Sequence, residues 1–278
     1  MPVRLVQSKQ NARLRELRKA LASPGHSPHG LAGIEGPILI AEALRSGLLI
    51  RTILVAQGFG HLLDDLHFPA RTDILVMPRP LLESALTTPS PQPVAALVEP
   101  PDWTWAHLLD RHRKVVPLVV ALAGIQDPGN LGTILRSAEA FGADGVLALP
   151  GTVSPWNPKC VRASAGSVFR LPVLSISAAD CLMHLREAGV RIWTTTTHEA
   201  EPADLVDLTA PVALILGNEG SGVPADLAAM ADGRITIPCP GAVESLNAAV
   251  AASVLLYEAA RQRSTRSSRL LDLRGSTP

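Results

Sequence analysis

A two-unit α/β fold is what this sequence predicts, on three observations. Apolar strand-like runs alternate with helical stretches, 278 residues suffice for two buried cores, and a Pro-rich then charged stretch from Glu99 to Lys114 interrupts the alternation. Composition agrees: 47% apolar and 18% charged residues describe an ordinary globular protein, and 3% aromatic residues imply an aliphatic core. The chain has no run of about 18 apolar residues, so no membrane span is expected. Met1 to Lys9 lacks the apolar core of a signal peptide, which makes a cytoplasmic location the default.

The elements follow in order. Asn11 to Leu21 reads as a short basic helix, with Leu14, Leu17 and Leu21 at spacings of three and four. The Ser/Pro/Gly-rich loop Ala22 to Gly30 precedes a strand at Leu31 to Ile34, and Glu35-Gly-Pro leads into a helix from Ile38 to Ser46 stopped by Gly47. Strands are expected at Ile50–Ala56, Ile74–Met77 and Val94–Val98, the last after the Pro-rich Thr88 to Pro93. These make a small α/β unit over residues 1–100, with a linker over 101–114.

Val115 to Ala123 opens the second unit as a continuous apolar run, the mark of a strand buried on both faces. Further strands are expected at Gly145–Leu149, Leu171–Ile176, Arg191–Thr195, Val212–Leu216 and Arg234–Ile237. Helices between most of them imply a mostly parallel sheet. Leu246 to Arg263 closes the unit (115–263) as an Ala-rich helix, and 264–278 reads as a basic, loosely held tail.

Charge is distributed unevenly although its net is zero. Residues 1–20 carry +5 and residues 259–278 carry +4, so the interior carries about −9. Basic ends can collect phosphates, and solvated helix faces would look the same. Cys160, Cys181 and Cys239 are odd in number and widely spaced, which encodes neither a disulfide framework nor a zinc site and favours buried inert thiols. His26 and His29 lie in a turn-forming loop and read as solvated rather than metal-binding. Trp103, Trp105 and Trp156 read as packing residues.

Three blocks of the second unit carry chemistry. Gln126 to Gly145 begins with the Asp127-Pro-Gly turn, offers Asn130 or Thr133 as a helix start, and places Arg136 six residues beyond Asn130. Such a helix start could hold a phosphate, though taken alone Asn130 reads as a cap and Arg136 as a surface cation. Leu216 to Gly222 has glycines at 217, 220 and 222, which is neither a dinucleotide fingerprint nor a triphosphate-binding loop. Glu219 among these glycines has no apolar neighbour and suits a polar contact. In Ile237 to Asn247, Ser245 is placed to cap the following helix, which leaves Asn247 unexplained as a poor helix former.

Together the three blocks resemble, in order and spacing, the motifs of the SpoU (TrmH) branch of the SPOUT RNA methyltransferases. Pro158 to Pro172 resembles the family as well. Asn11 to Lys19 and Ile34-Glu-Gly-Pro resemble the small substrate-binding domain that precedes many rRNA-modifying members. The resemblance implies a C-terminal parallel-sheet α/β domain with a trefoil knot behind an L30e-like α/β domain, a homodimer, no metal, and S-adenosyl-L-methionine as cofactor. It implies methylation of a ribose 2′-hydroxyl in RNA, most readily rRNA. A tRNA 2′-O-methyltransferase, or a silent RNA-binding protein that kept the fold, are the alternatives. Matching positions assign Thr196, Gly217, Ile237 and Leu246 to the cofactor, and Asn130, Arg136, Glu219, Ser245 and Asn247 to the active site. A guanidinium stays protonated under ordinary conditions, so binding phosphate and steadying developing negative charge suits Arg136 better than acting as a base.

Overall fold

A computed structural model of the chain describes residues 3–22, 26–109 and 116–275, with side chains described as far as Thr265. Two compact units form, one from residues 1–102 and 154–170, the other from 103–153 and 171–278.

The first unit is built on the sheet order β1-β4-β3-β5-β2. Strand β1 (Val3–Leu5) is an exposed edge, too short for its alternation to be read in the sequence. Helix α1 (Ala12–Ala20) starts where Asn11 accepts the amides of Arg13 and Leu14, and it buries Leu14, Leu17 and Ala20. Glu16 is buried beside them. Its carboxylate accepts from Ser27 Oγ at 3.1 Å and Arg13 at 2.8 Å and lies 2.7 Å from His29 Nδ1, so His29 is held by a partner. Strand β2 (Ala32–Glu35) leads to α2 (Pro37–Arg45), with Pro37 in the first turn, where its missing N–H costs nothing. Next come β3 (Ile50–Ala56), β4 (Asp73–Met77), a short α3 (Arg79–Glu83) and β5 (Val94–Val98). β5 is apolar and buried along its whole length because it runs antiparallel between β3 and β2.

The second unit opens with α4 (Trp105–Leu108), a helical turn inside the stretch read as linker. Asp110 to Lys114, the charged part of that stretch, lies outside the described residues. Strand β6 (Leu118–Ala123), α5 (Pro128–Ala140) and β7 (Gly145–Ala148) follow. The chain then contributes α6 (Pro158–Ala163) to the first unit. There Arg170 pairs with Glu42 of α2, and Trp156 stacks on Phe169 at 5.9 Å between ring centres. Sequence periodicity had placed this segment in the second unit, because segment membership depends on tertiary contacts that local pattern does not carry.

Back in the second unit come β8 (Val173–Ser175), α7 (Ala178–Glu187), β9 (Arg191–Thr195), the two-residue β10 (Glu201–Pro202), β11 (Val212–Gly217), α8 (Ala225–Ala229), β12 (Gly233–Thr236) and α9 (Ala248–Gly275). Their order is β10-β12-β9-β11-β6-β7-β8, with every pairing parallel. β6 and β11 lie at the centre; β6 is buried throughout and β11 as far as Leu216, as their unbroken apolar runs predict. Val119, Ala121, Ala213 and Ile215 pack with Cys181, Leu182 and Leu185 of α7. Leu131, Ile134 and Leu135 of α5, with Ala252, Leu255 and Leu256 of α9, are buried outside that cluster.

Helix α9 runs on to Gly275, through most of the segment read as a tail from residue 264. Arg263 anchors it by donating to the carbonyls of Val116, Pro117, Leu208 and Ala210, and burial lowers its pKa. Arg261 pairs with Glu258 at 2.7 Å. Part of the C-terminal positive charge is thus spent inside the fold. No helix among the described residues is long and apolar enough to cross a membrane.

Candidate active site at the carboxyl edge of the parallel sheet

Because β12, β9 and β11 are parallel neighbours, their carboxyl ends lie side by side, where ligands bind in sheets of this class. That edge brings Ile237, Thr196 and Gly217 together, each half-buried. Backbone bonding makes the adjacency firm: Thr196 N–H donates to the Ile235 carbonyl at 3.1 Å. Leu246 is also half-buried, on the approach to α9.

The loop after β11 folds back on itself. Asn218 and Gly222 exchange backbone hydrogen bonds of 3.0 and 2.9 Å, and Asn218 Oδ1 accepts the amides of Gly220 and Ser221. Asn218 Nδ2 donates to the Gly124 carbonyl at 2.9 Å, tying this loop to the end of β6. Sequence reasoning passed over Asn218, although an Asn between closely spaced glycines is a turn signal. Gly217 is required by space: a Cβ there would stand 2.0 Å from the Gly222 carbonyl carbon. This tight, backbone-lined turn fits a cofactor gripped mainly by main chain, and Gly217, Thr196, Ile237 and Leu246 are the residues that would hold it.

Three of the five active-site candidates meet beside it. Asp127 caps α5 by accepting the Asn130 amide at 2.9 Å, so Asn130 stands in the first turn rather than at the cap. Asn130 Nδ2 donates to Glu219 Oε1 at 2.8 Å, and Asn247 Nδ2 donates to Asn130 Oδ1 at 3.1 Å. The cap of α9 is a correction: Asn247 Oδ1, not Ser245, accepts the amides of Ala249 and Val250. Asn247 is therefore explained twice, as cap and as donor. Ser245 is exposed and makes no hydrogen bond among the described residues. Arg136 is exposed on α5, about 9 Å along the helix axis from Asn130 and about 120° around it. No hydrogen bond joins it to Asn130 or Glu219 among the described residues.

Burial pushes the Cys160 and Cys181 thiols up to about 12, which makes them inert packing groups, whereas Cys239 is only half-buried. Among the described residues no cluster of His, Cys, Asp and Glu could hold a metal ion.

Parallel strands with a tight backbone-lined loop at their carboxyl edge and a carboxamide–carboxylate chain beside it are the features of an α/β protein of the ligand-binding kind. The particular family follows from comparison. The profile of the SpoU rRNA Methylase family matches residues 117–257. The 23S rRNA (guanosine(2553)-2′-O)-methyltransferase RlmP of Bacillus subtilis is 32% identical over 256 residues, 91% of this chain and 97% of that one. The SpoU methyltransferase AviRb from Streptomyces viridochromogenes, solved with AdoMet, superposes with a TM-score of 0.81 at 30% identity, covering 91% of this chain and 98% of that one. An AdoMet-bound rRNA methyltransferase from Sinorhizobium meliloti gives a TM-score of 0.81 at 31% identity, over 93% and 98% of the two chains. This chain belongs to the SpoU rRNA methylase family. Its fold class is accordingly α/β with a trefoil-knotted parallel-sheet domain behind an N-terminal domain.

Proposed function

We propose that the chain methylates a ribose 2′-hydroxyl of ribosomal RNA, as a cytoplasmic homodimer, with S-adenosyl-L-methionine as its cofactor. Family membership supports the reaction and cofactor, and the relatives named as 23S rRNA enzymes support the substrate. The single observation that carries the site assignment is the hydrogen-bonded chain Asn247–Asn130–Glu219, which joins all three motif blocks beside the Gly217 turn.

The cofactor supplies a methyl group from its sulfonium. The protein's task is then to hold the hydroxyl oxygen in line with that methyl, which is mainly a matter of positioning. Glu219 and Asn130 hold the ribose, the hydroxyl proton leaves to water at the exposed Glu219 as the methyl passes from sulfur to oxygen, and Arg136 binds an RNA phosphate and steadies negative charge on the reacting oxygen. Ser245, on the loop before α9, contacts the RNA.

Two observations support the homodimer. Val250, Val254 and Tyr257 of α9 are 48, 39 and 55% exposed, and with Thr133 of α5 and Phe141 just past its end they line an apolar groove of about 300 Å³. Arg136 is exposed on the same helix, three residues beyond Thr133 of that groove. A second copy seated there receives Arg136 at its own Asn130–Glu219 pair. Co-expressing Arg136→Ala with Glu219→Ala tests this. Mixed dimers regain methyl transfer if Arg136 serves the other copy, and stay inactive if it serves its own. For the substrate, mapping 2′-O-methyl sites in cells with and without the chain identifies a single rRNA nucleotide. A site lost from tRNA alone would refute the rRNA reading.

A further inference from the structure

The hydrogen bonds of the site run in one direction, and that direction has a source. Asn247 Oδ1 accepts from the backbone N–H groups of Ala249 at 2.9 Å and Val250 at 3.3 Å. A backbone N–H can only donate, so the start of α9 fixes which end of the Asn247 amide is oxygen. Its Nδ2 must face Asn130, which must answer with Oδ1, and this leaves Asn130 Nδ2 for Glu219 Oε1. A carboxylate can only accept, so the far end of the chain demands the same polarity as the helix.

We propose that Asn247 is a positioning residue: through its amide and that of Asn130, the α9 N-terminus sets the donor and acceptor pattern that the site offers to a ribose. The inference rests on the assignment of these three residues to the RNA site. The pattern consists of the second N–H of Asn130 as donor and, beside it, Glu219 Oε2, which takes no hydrogen bond among the described residues. A ribose 2′-hydroxyl donates to that oxygen while a neighbouring sugar oxygen accepts from Asn130. Deoxyribose has no such donor, so the pattern selects RNA.

Asn247→Asp is the discriminating change, because Asp still caps α9 but presents a second acceptor to Asn130. Asn130 must then turn its amide over and bring Oδ1 against the Glu219 carboxylate, so one contact fails whichever way it faces. Purified Asn247→Asp melts about 2–4 °C below wild type. Adding Glu219→Gln, whose amide can donate to the reversed Asn130, returns Tm to within about 1 °C. Adding Glu219→Ala, which removes the charge without supplying a donor, does not. Equal recovery by Gln and Ala would mean simple charge repulsion and would overturn the relay.

In methyl transfer, Asn247→Asp lowers kcat at least roughly tenfold, with cofactor Kd within about twofold of wild type. Asn247→Ser, which caps but cannot reach Asn130, shows the same kcat loss. Wild-type kcat in Asn247→Asp overturns the positioning role. Failure of the functional assignment is separable, since it shows as absence of methyl transfer in the wild type while the Tm pattern persists.

Discussion

Gly217→Ala puts a methyl group where the chain has no room for one. Its Cβ would lie 2.0 Å from the Gly222 carbonyl carbon and 2.1 Å from the Val223 nitrogen. Both are backbone atoms, so no rotamer change relieves the clash. Ordinary contact begins at 3.4 Å, so the 218–222 turn must move by 1.4 Å, the difference between 3.4 and 2.0 Å. Such a movement breaks one or two of the bonds that hold the turn, the Asn218–Gly222 pair and Asn218 to Gly124. At about 1 kcal/mol each, the loss is about 2 kcal/mol and lowers Tm by roughly 4–8 °C. If the turn is the cofactor's backbone wall, Kd for S-adenosylmethionine rises at least about tenfold, or about 1.4 kcal/mol. Isothermal titration calorimetry on the folded variant reads this directly. A Kd within about twofold of wild type, with the melting shift present, would refute Gly217 as a wall of the cofactor site.

Four further outcomes follow from the same structure. Arg136→Ala abolishes methyl transfer but leaves cofactor affinity within about threefold, and calorimetry showing cofactor binding lost as well would contradict the role given to it. Replacing exposed Arg15 and Lys19 on α1 by Gln weakens RNA binding and flattens its dependence on salt, and an unchanged slope would show that α1 does not meet phosphates. Burial of Glu16 raises its pKa, but the bonds from His29, Arg13 and Ser27 outweigh that and leave it below the ordinary value of 4.5. Its contribution to stability is therefore complete above the ordinary value and is lost as pH falls through the lowered one, so Glu16→Gln flattens the acid limb of Tm against pH. With a thiol reagent at neutral pH, Cys239 reacts first while Cys160 and Cys181 react only on unfolding. Rapid labelling of all three in the folded protein would show their burial to be wrong.

Strands buried on both faces were the most legible part of the sequence. β3 and β5 have the very bounds their apolar runs suggested, and β6 and β11 differ only at their ends, because the centre of a covered sheet tolerates little else. Elements held by tertiary contact were not legible. β1 and β10 have three and two residues, too few for a period, and the membership of 154–170 depends on partners such as Glu42 for Arg170. At the site, residue types and spacing picked out Asn130, Glu219 and Asn247, yet the cap was given to Ser245 because a Ser before an Ala-rich helix is the stronger local signal. Asn247 prevails since the helix starts at Ala248, three residues past Ser245. That choice mattered, for the cap is what orients the amide chain.

The central claim is that this protein transfers methyl to a ribose 2′-oxygen of RNA. Its most direct test is incubation of the purified protein with rRNA and methyl-labelled S-adenosylmethionine, followed by alkaline hydrolysis, which cleaves every linkage whose 2′-hydroxyl is free. The account predicts label confined to one alkali-resistant dinucleotide and absent with Asn130→Ala. Label released as a free mononucleotide would place the methyl on a base and contradict it.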